Sequence, residues 1–291
     1  MVVRILSIVF PLIVIAALGY FIGRRTPLNL VDANKLNMDV FLPALVFSAL
    51  ASKDFRVGEY ATLALATFIV VIGSGLLGWA VARAAGIAGK TFVPPIMFNN
   101  CGNLGLPLAV LAFGEQALAP AVVMFVVSNF LHFSFGAWLL NHKTRLMTIW
   151  LVPSVFATIL GLAVSAAGIE LWPPLAQAIR MLGDVSIPLM LFALGVRLAG
   201  ARYDSWRVGM IAALTRPLAG VALVLPLLLV LDLPVQQRAL LLVFGALPPA
   251  VLNYMFAERY KQEPERVASM VMIGNLLAIV VLPLVLAVAL P

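Results

Sequence analysis

The sequence predicts an all-α polytopic membrane protein of ten transmembrane helices, arranged as two inverted five-helix repeats. Three observations predict it. Of 291 residues, 63% are hydrophobic and 11% charged, with a mean hydropathy of +1.09; a soluble domain is about 45–50% apolar and about 25% charged. So little charge cannot cover a water-facing surface. The second observation is a series of long charge-free runs, and the third is internal repetition.

Seven runs lack Asp, Glu, Lys and Arg altogether: 5–23, 60–82, 91–114, 116–141, 146–169, 239–257 and 267–291. Three further apolar stretches, roughly 31–50, 175–199 and 206–231, carry a few charges each. Each is long enough to cross about 30 Å of hydrocarbon as a helix. None alternates apolar and polar residues as a barrel strand does. The first run follows Arg4 in the manner of a signal peptide, but its length, Pro11 within it and a related stretch later in the chain make it a span.

Asp39-Val40-x-x-Pro43-x-x-x-Phe47 returns as Asp184-Val185-x-x-Pro188-x-x-x-Phe192, 145 residues on. Pro11 and Gly19 return as Pro153 and Gly161, and Ser128-Asn129-Phe130-Leu131 is echoed by Gly274-Asn275-Leu276-Leu277. Ordered matches at a nearly constant offset divide the chain into a first repeat, 1–140, a connecting loop, 141–148, and a second repeat, 149–291. Five is odd, so the second half enters the membrane from the opposite side. Such inversion is typical of secondary transporters.

One side of the membrane then holds thirteen cations: Arg24, Arg25, Lys35, Arg83, Lys90, Lys143, Arg145, Arg197, Arg202, Arg207, Arg259, Lys261 and Arg266. The other holds four, Arg4, Lys53, Arg56 and Arg238. The richer side is expected to be cytoplasmic. Both termini then lie outside the cytoplasm, in a multi-pass protein of the plasma membrane. The net charge of +7 is read as this orienting signal and not as a nucleic-acid surface. The single Cys101 excludes an internal disulfide, and with only His132 and His142 beside it no metal site or cofactor is expected. No nucleophile–base or paired-carboxylate motif supports an enzyme.

The fourth span reads Val93-Pro94-Pro95-Ile96-Met97-Phe98-Asn99-Asn100-Cys101-Gly102-Asn103-Leu104-Gly105-Leu106-Pro107-Leu108. Its glycines and prolines make a poor continuous helix. The ninth carries a matching interruption, Ala246-Leu247-Pro248-Pro249-Ala250-Val251-Leu252-Asn253-Tyr254. Interruptions in corresponding spans point to a transporter's binding site. Half-helix N-termini there present N–H groups and partial positive charge. Neither interruption contains an acidic residue, so the site suits an anion. Asn100, Gly102, Asn103, Pro107, Pro248, Pro249 and Asn253 are the candidate substrate-site residues. Gly73-Ser74-Gly75-Leu76-Leu77-Gly78 spells a dinucleotide fingerprint, but inside a charge-free run it reads as a helix-packing face. His132 reads as a packing residue.

Ionisable groups at membrane depth are costly and usually functional. Arg180 and Asp184 are four apart and can pair on a helix. Asp39 is placed to cap a helix or face a crevice. Arg216, about nine residues into its span, lies near mid-depth and can either attract an anion or pair structurally. These four are the candidates for a charge or coupling role.

With these residues in view, the sequence resembles the auxin efflux carrier family, which includes bacterial malate-permease-like proteins and plant auxin exporters. Asn100-Cys101-Gly102-Asn103-Leu104-Gly105-Leu106-Pro107-Leu108 resembles the family's fourth-helix pattern. Ala246-Leu247-Pro248-Pro249-Ala250, through Phe256-Ala257-Glu258-Arg259-Tyr260, resembles its ninth. The resemblance spans nearly the whole chain. It implies that helices 4 and 9 cross at their breaks, that helices 1, 2, 6 and 7 form a scaffold, and that helices 3–5 and 8–10 form a mobile core moving like an elevator. The long central hydrophilic loop of many plant members is absent. Val152 stands before Pro153 where plant members often have Asn. Sodium-coupled relatives of similar architecture, such as bile-acid symporters, use an acidic residue on a crossover helix; here there is none.

The resulting expectation is a secondary carrier for a small organic anion, a dicarboxylate or an auxin-like acid, working as an exporter. Its partners are that anion and the lipid bilayer, with no nucleic acid and with homodimerisation left open. A proton- or sodium-coupled symporter is the alternative within transport. A membrane receptor or scaffold without flux is the alternative outside it.

Overall fold

The computed structural model describes residues 1–26, 28–52, 55–142, 152–200 and 205–290. The expected connecting loop, 141–148, lies outside the described residues apart from Asn141 and His142. Among the described residues the regular structure is helical, and the one β-type contact is an isolated bridge between two helix breaks.

In chain order the α-helices are α1 (Val2–Arg25), α2 (Val31–Leu36), α3 (Leu42–Leu50), α4 (Ala61–Ala84), α5 (Gly89–Met97), α6 (Leu106–Phe113), α7 (Leu118–Leu131), α8 (Ala137–Leu140), α9 (Pro153–Ala166), α10 (Pro173–Ala199), α11 (Trp206–Val230), α12 (Val235–Ala246), α13 (Leu252–Tyr260) and α14 (Pro264–Ala289). Among the described residues six helical runs are long and apolar enough to cross a membrane: Val2–Arg25, Gly58–Ala84, Glu115–Leu140, Pro173–Ala199, Trp206–Val230 and Pro264–Ala289. The remaining apolar stretches are shorter or divided. Large apolar side chains such as Phe10, Leu76, Leu218 and Leu284 are exposed along these helices. An apolar exterior of this extent belongs against lipid.

Close packing rests on small residues, as expected where lipid removes the hydrophobic drive between helices. Gly19 of α1 lies against the Phe192 backbone of α10, and Gly195 of α10 against the Ala16 backbone of α1. Gly75 and Gly78 receive Met97 and Ile96 of α5, and Gly73 receives Leu223 of α11, so the apparent nucleotide fingerprint is a packing face. Two sets of helices result. In one, α1, α3, α9 and α10 pack on one another; in the other, α4, α5, α11, α12 and α14 do. Between them runs a mainly apolar crevice of about 390 Å³ that includes Leu12, Ala16, Leu104, Leu108, Leu191 and Leu282.

Among the described residues three stretches widen into π-helical turns: Asn37–Phe41, Cys101–Gly105 and His132–Gly136. Two of them have a physical cause in the sequence. Pro43 and Pro107 each lack the N–H that would bond the carbonyl four residues earlier, at Asp39 and Asn103, and each ring would strike that carbonyl in a regular helix. Widening the turn relieves both. Such turns are frequent at functional sites, and residues from all three line one internal chamber.

Candidate functional site

Two helices stop short of each other from opposite directions. After Met97 the chain leaves α5 through an extended Phe98, passes Asn99 and Asn100, and re-enters a helix at Cys101. After Ala246 it leaves α12 through Leu247, Pro248 and Pro249 and resumes at Leu252. The two extended segments pair antiparallel, Asn99 facing Pro249. The Asn100 N–H donates to the Pro248 carbonyl at 2.7 Å, and the Ala250 N–H to the Phe98 carbonyl at 2.9 Å. Backbone groups freed by a helix break must be satisfied within the protein at membrane depth. Each break satisfies the other.

Side chains complete the accounting. The last carbonyls of a helix have no donor of their own. Asn99 donates to the Phe244 carbonyl at 2.6 Å, and Arg216 to the Gly245 carbonyl at 3.2 Å, both at the end of α12. Asn253 donates to the carbonyls of Phe98 and Ala250, each at 3.0 Å. Asn100 donates to the Asn275 side-chain oxygen at 2.8 Å, and the Asn275 amide donates to the Pro249 and Val271 carbonyls. Gly220 lets α11 approach this end of α12: a Cβ there would lie 1.9 Å from the Gly245 carbonyl oxygen.

Beside the crossing is a chamber of about 120 Å³, large enough for several waters or a small acid. Two helix starts line it, Cys101-Gly102-Asn103 on one side and Ala250-Val251-Leu252 on the other. Ser128, Asn129, His132 and Ser154 complete its polar wall, with the His132 ring stacked on Phe98 at a centroid distance of 4.0 Å. Arg197 is the one charged side chain among the described lining residues. The chamber shares Asn34, Met38, Phe133, Val152, Arg197 and Met255 with a larger open vestibule of about 1070 Å³. Those shared residues form its mouth. Lys35, Asp39, Glu258 and Glu265 line the vestibule but not the chamber.

The residues expected from sequence distribute unevenly. Asn100, Gly102 and Asn103 line the chamber. Asn103 is half-buried, and its side chain makes no hydrogen bond among the described residues. Pro248 and Pro249 form the backbone of the second break, and Pro107 is buried one turn into the helix that follows the first. Asn253, expected to line the site, is buried and clamps the crossing instead, because helix-end carbonyls compete for its amide. Arg216 of α11 is fully buried against the end of α12, with Nε and Nη2 unpartnered among the described residues. Asp39 lines the vestibule on the first π turn.

The pair expected between Arg180 and Asp184 is not formed. Both side chains are exposed on α10, and no ion pair joins them. Spacing by four puts them on one face, but both side chains stand exposed on that face without closing on each other. Arg197, Asn129 and Ser154 were not picked out as site residues. Arg197 stands at the end of a span and reads as one more loop cation. Asn129 carries a usable signal, since it is the repeat partner of Asn275.

The sequence profile of a family described as membrane transport protein matches residues 4–150 and again 143–286. A Rhizobium meliloti protein provisionally named a malonate transporter is 26% identical, covering 95% of this chain and 93% of its own. Uncharacterized transporters of Methanocaldococcus jannaschii and Escherichia coli strain K12 are 20% and 24% identical, the first covering 96% of this chain and 97% of its own, the second 86% of each. A helical, lipid-facing chain with two stitched helix breaks, matched by that profile over nearly its whole length, is a member of the membrane transport protein family, the auxin efflux carriers that its two interrupted spans resemble.

Proposed function

We propose that the chain is a secondary carrier that exports a small organic anion across the plasma membrane. The chamber's make-up carries this reading: two helix starts and several amides around a space whose described lining has an arginine and no carboxylate. The partial positive charge at two helix N-termini favours an anion, and a coupled sodium ion would find no acidic ligand there. The relative provisionally named for malonate has a cargo of the same class.

In this reading the ten spans form two inverted repeats, 1–140 and 149–291. The set containing α1, α3, α9 and α10 is the fixed scaffold, and the set built on α4, α5, α11, α12 and α14 is the moving core. The division of packing and the apolar crevice between the sets support it. The vestibule opens on the side richer in Lys and Arg, which is the cytoplasm by charge. An inside-negative potential, worth about 2.3 kcal/mol per charge per 100 mV, drives an anion outward without a coupled ion.

Purified protein in proteoliposomes, given an organic-acid panel with pH gradient, sodium and potential varied separately, tests this. Flux should follow the potential and ignore sodium. Flux indifferent to a clamped potential but lost without a pH gradient would make the carrier proton-coupled, with Asp39, Glu258 and Glu265 of the vestibule as candidates. Binding without flux would make it a receptor.

A further inference from the structure

We propose that Arg197 is the specificity-determining cation of the chamber, holding the second carboxylate of a short dicarboxylate whose first carboxylate is taken at the crossing. The proposal rests on the anion reading above and narrows it to a substrate with two charges.

Arg197 lines both chamber and vestibule, whereas Asn100, Gly102 and Asn103 line the chamber alone. Arg197 therefore stands at the mouth, and Asn100, Gly102 and Asn103 lie deeper. Arg197 is half-buried and makes no ion pair or hydrogen bond among the described residues. Among the described residues no vestibule carboxylate pairs with it. Glu258, a vestibule carboxylate, is engaged by the Tyr254 hydroxyl at 2.6 Å. Asp39 lies outside the chamber. The helix that carries Arg197 is fixed two residues earlier, where Gly195 abuts the Ala16 backbone.

A half-buried guanidinium without an ion pair keeps its donors available, and a carboxylate in the chamber would take them in charge-assisted hydrogen bonds. The guanidinium fork matches a carboxylate with two parallel hydrogen bonds. At the floor, the unpartnered Asn103 amide and the opening of the helix at Cys101 offer a second anion-accepting end. The chamber's volume of about 120 Å³ is on the scale of a small acid, not of a large ring. A monocarboxylate is held at the floor alone; a short dicarboxylate uses both ends.

The test is uptake of malonate and of propionate by the full chain in proteoliposomes, for wild type, Arg197→Gln and Arg197→Lys. Wild type should prefer malonate at least tenfold. Arg197→Gln should raise the malonate KM about ten- to a hundredfold, the loss expected for a hydrogen bond to a charged group, and leave the propionate KM within about twofold. Arg197→Lys keeps the charge without the fork and should fall between. Equal losses for both acids, or no loss for either, would overturn the proposal. If Arg197→Gln does not insert, the lysine variant decides: a malonate-selective loss sustains the proposal, and unchanged selectivity overturns it. A wild type that prefers propionate overturns this proposal alone, and a wild type that moves no organic acid overturns the anion reading with it.

Discussion

Asn100 reaches Asn275 across the chain, its amide donating to the Asn275 side-chain oxygen at 2.8 Å, and Asn275 passes the connection on to the Pro249 carbonyl at 3.1 Å. One break is thereby tied to the other through α14. Both asparagines are buried, so removing either leaves the other with unmet polar groups, at about 1–3 kcal/mol each. Asn100→Ala and Asn275→Ala should each lower the melting temperature, and the double variant should lose less than their sum. Thermal unfolding in detergent measures this as a coupling of about 0.5–3 kcal/mol. Strict additivity would mean that the two side chains act independently.

Asn103 should behave differently. Its side chain faces the chamber without a partner, so Asn103→Ala should unfold as wild type does and bind substrate about ten- to a hundredfold more weakly. Unchanged affinity would reduce the amide to a filler of the turn.

Arg180 and Asp184 should be nearly silent in stability. Exposed and unpaired with each other, they resemble surface positions, where substitutions stay within about 0.5 kcal/mol. Arg180→Ala should shift the melting temperature by no more than about 2 °C. A larger loss rescued by adding Asp184→Asn would restore the pairing that their spacing suggested.

Orientation is checked by reporter fusions. A reporter at either terminus should be active outside the cytoplasm, and one within 141–148 inside it, given the thirteen-to-four split of cations. Reversal at all three positions would invert the vestibule as well, and with it the direction in which the potential drives an anion.

Gly220→Ala should be poorly tolerated. The added Cβ meets the Gly245 carbonyl oxygen at 1.9 Å and Arg216 Nη1 at 2.5 Å. Overpacking costs about 1–3 kcal/mol when neighbours can shift, and here one neighbour is backbone at the end of α12. Full-length yield in the membrane fraction and melting temperature report the loss.

Composition and charge-free runs were enough to read a helical, membrane-embedded chain, because lipid imposes one requirement on every residue of a span. The interruptions were legible too, since a bare kink in a packed helix needs one proline and not a cluster of asparagine, glycine and proline. Their use was not. Sequence shows an amide in a break but not whether a helix-end carbonyl or a cavity lies beside it, which is how Asn253 came to be placed on the chamber wall. The π turns depend on backbone spacing; Pro43 and Pro107 hinted at two of them, and nothing marked His132–Gly136. Arg197 was hidden by its position, because a charge count treats a cation at the end of a span as loop. For Arg180 and Asp184, helical spacing is a condition for contact and not a cause of it.

The pairing of Asn99 with Pro249 has a consequence for how the chain is made. The groups that satisfy Phe98 and Asn100 are synthesised some 150 residues later, which at 5–20 residues per second is a delay of about 8–30 s. Until then the Phe98 carbonyl and the Asn100 N–H lack the partners they have in the folded protein. Substitutions in the second break act on that half-made pairing before they act on anything folded. Residues such as Pro248 and Ala250 should therefore govern how much protein survives biogenesis as strongly as they govern what the survivors do.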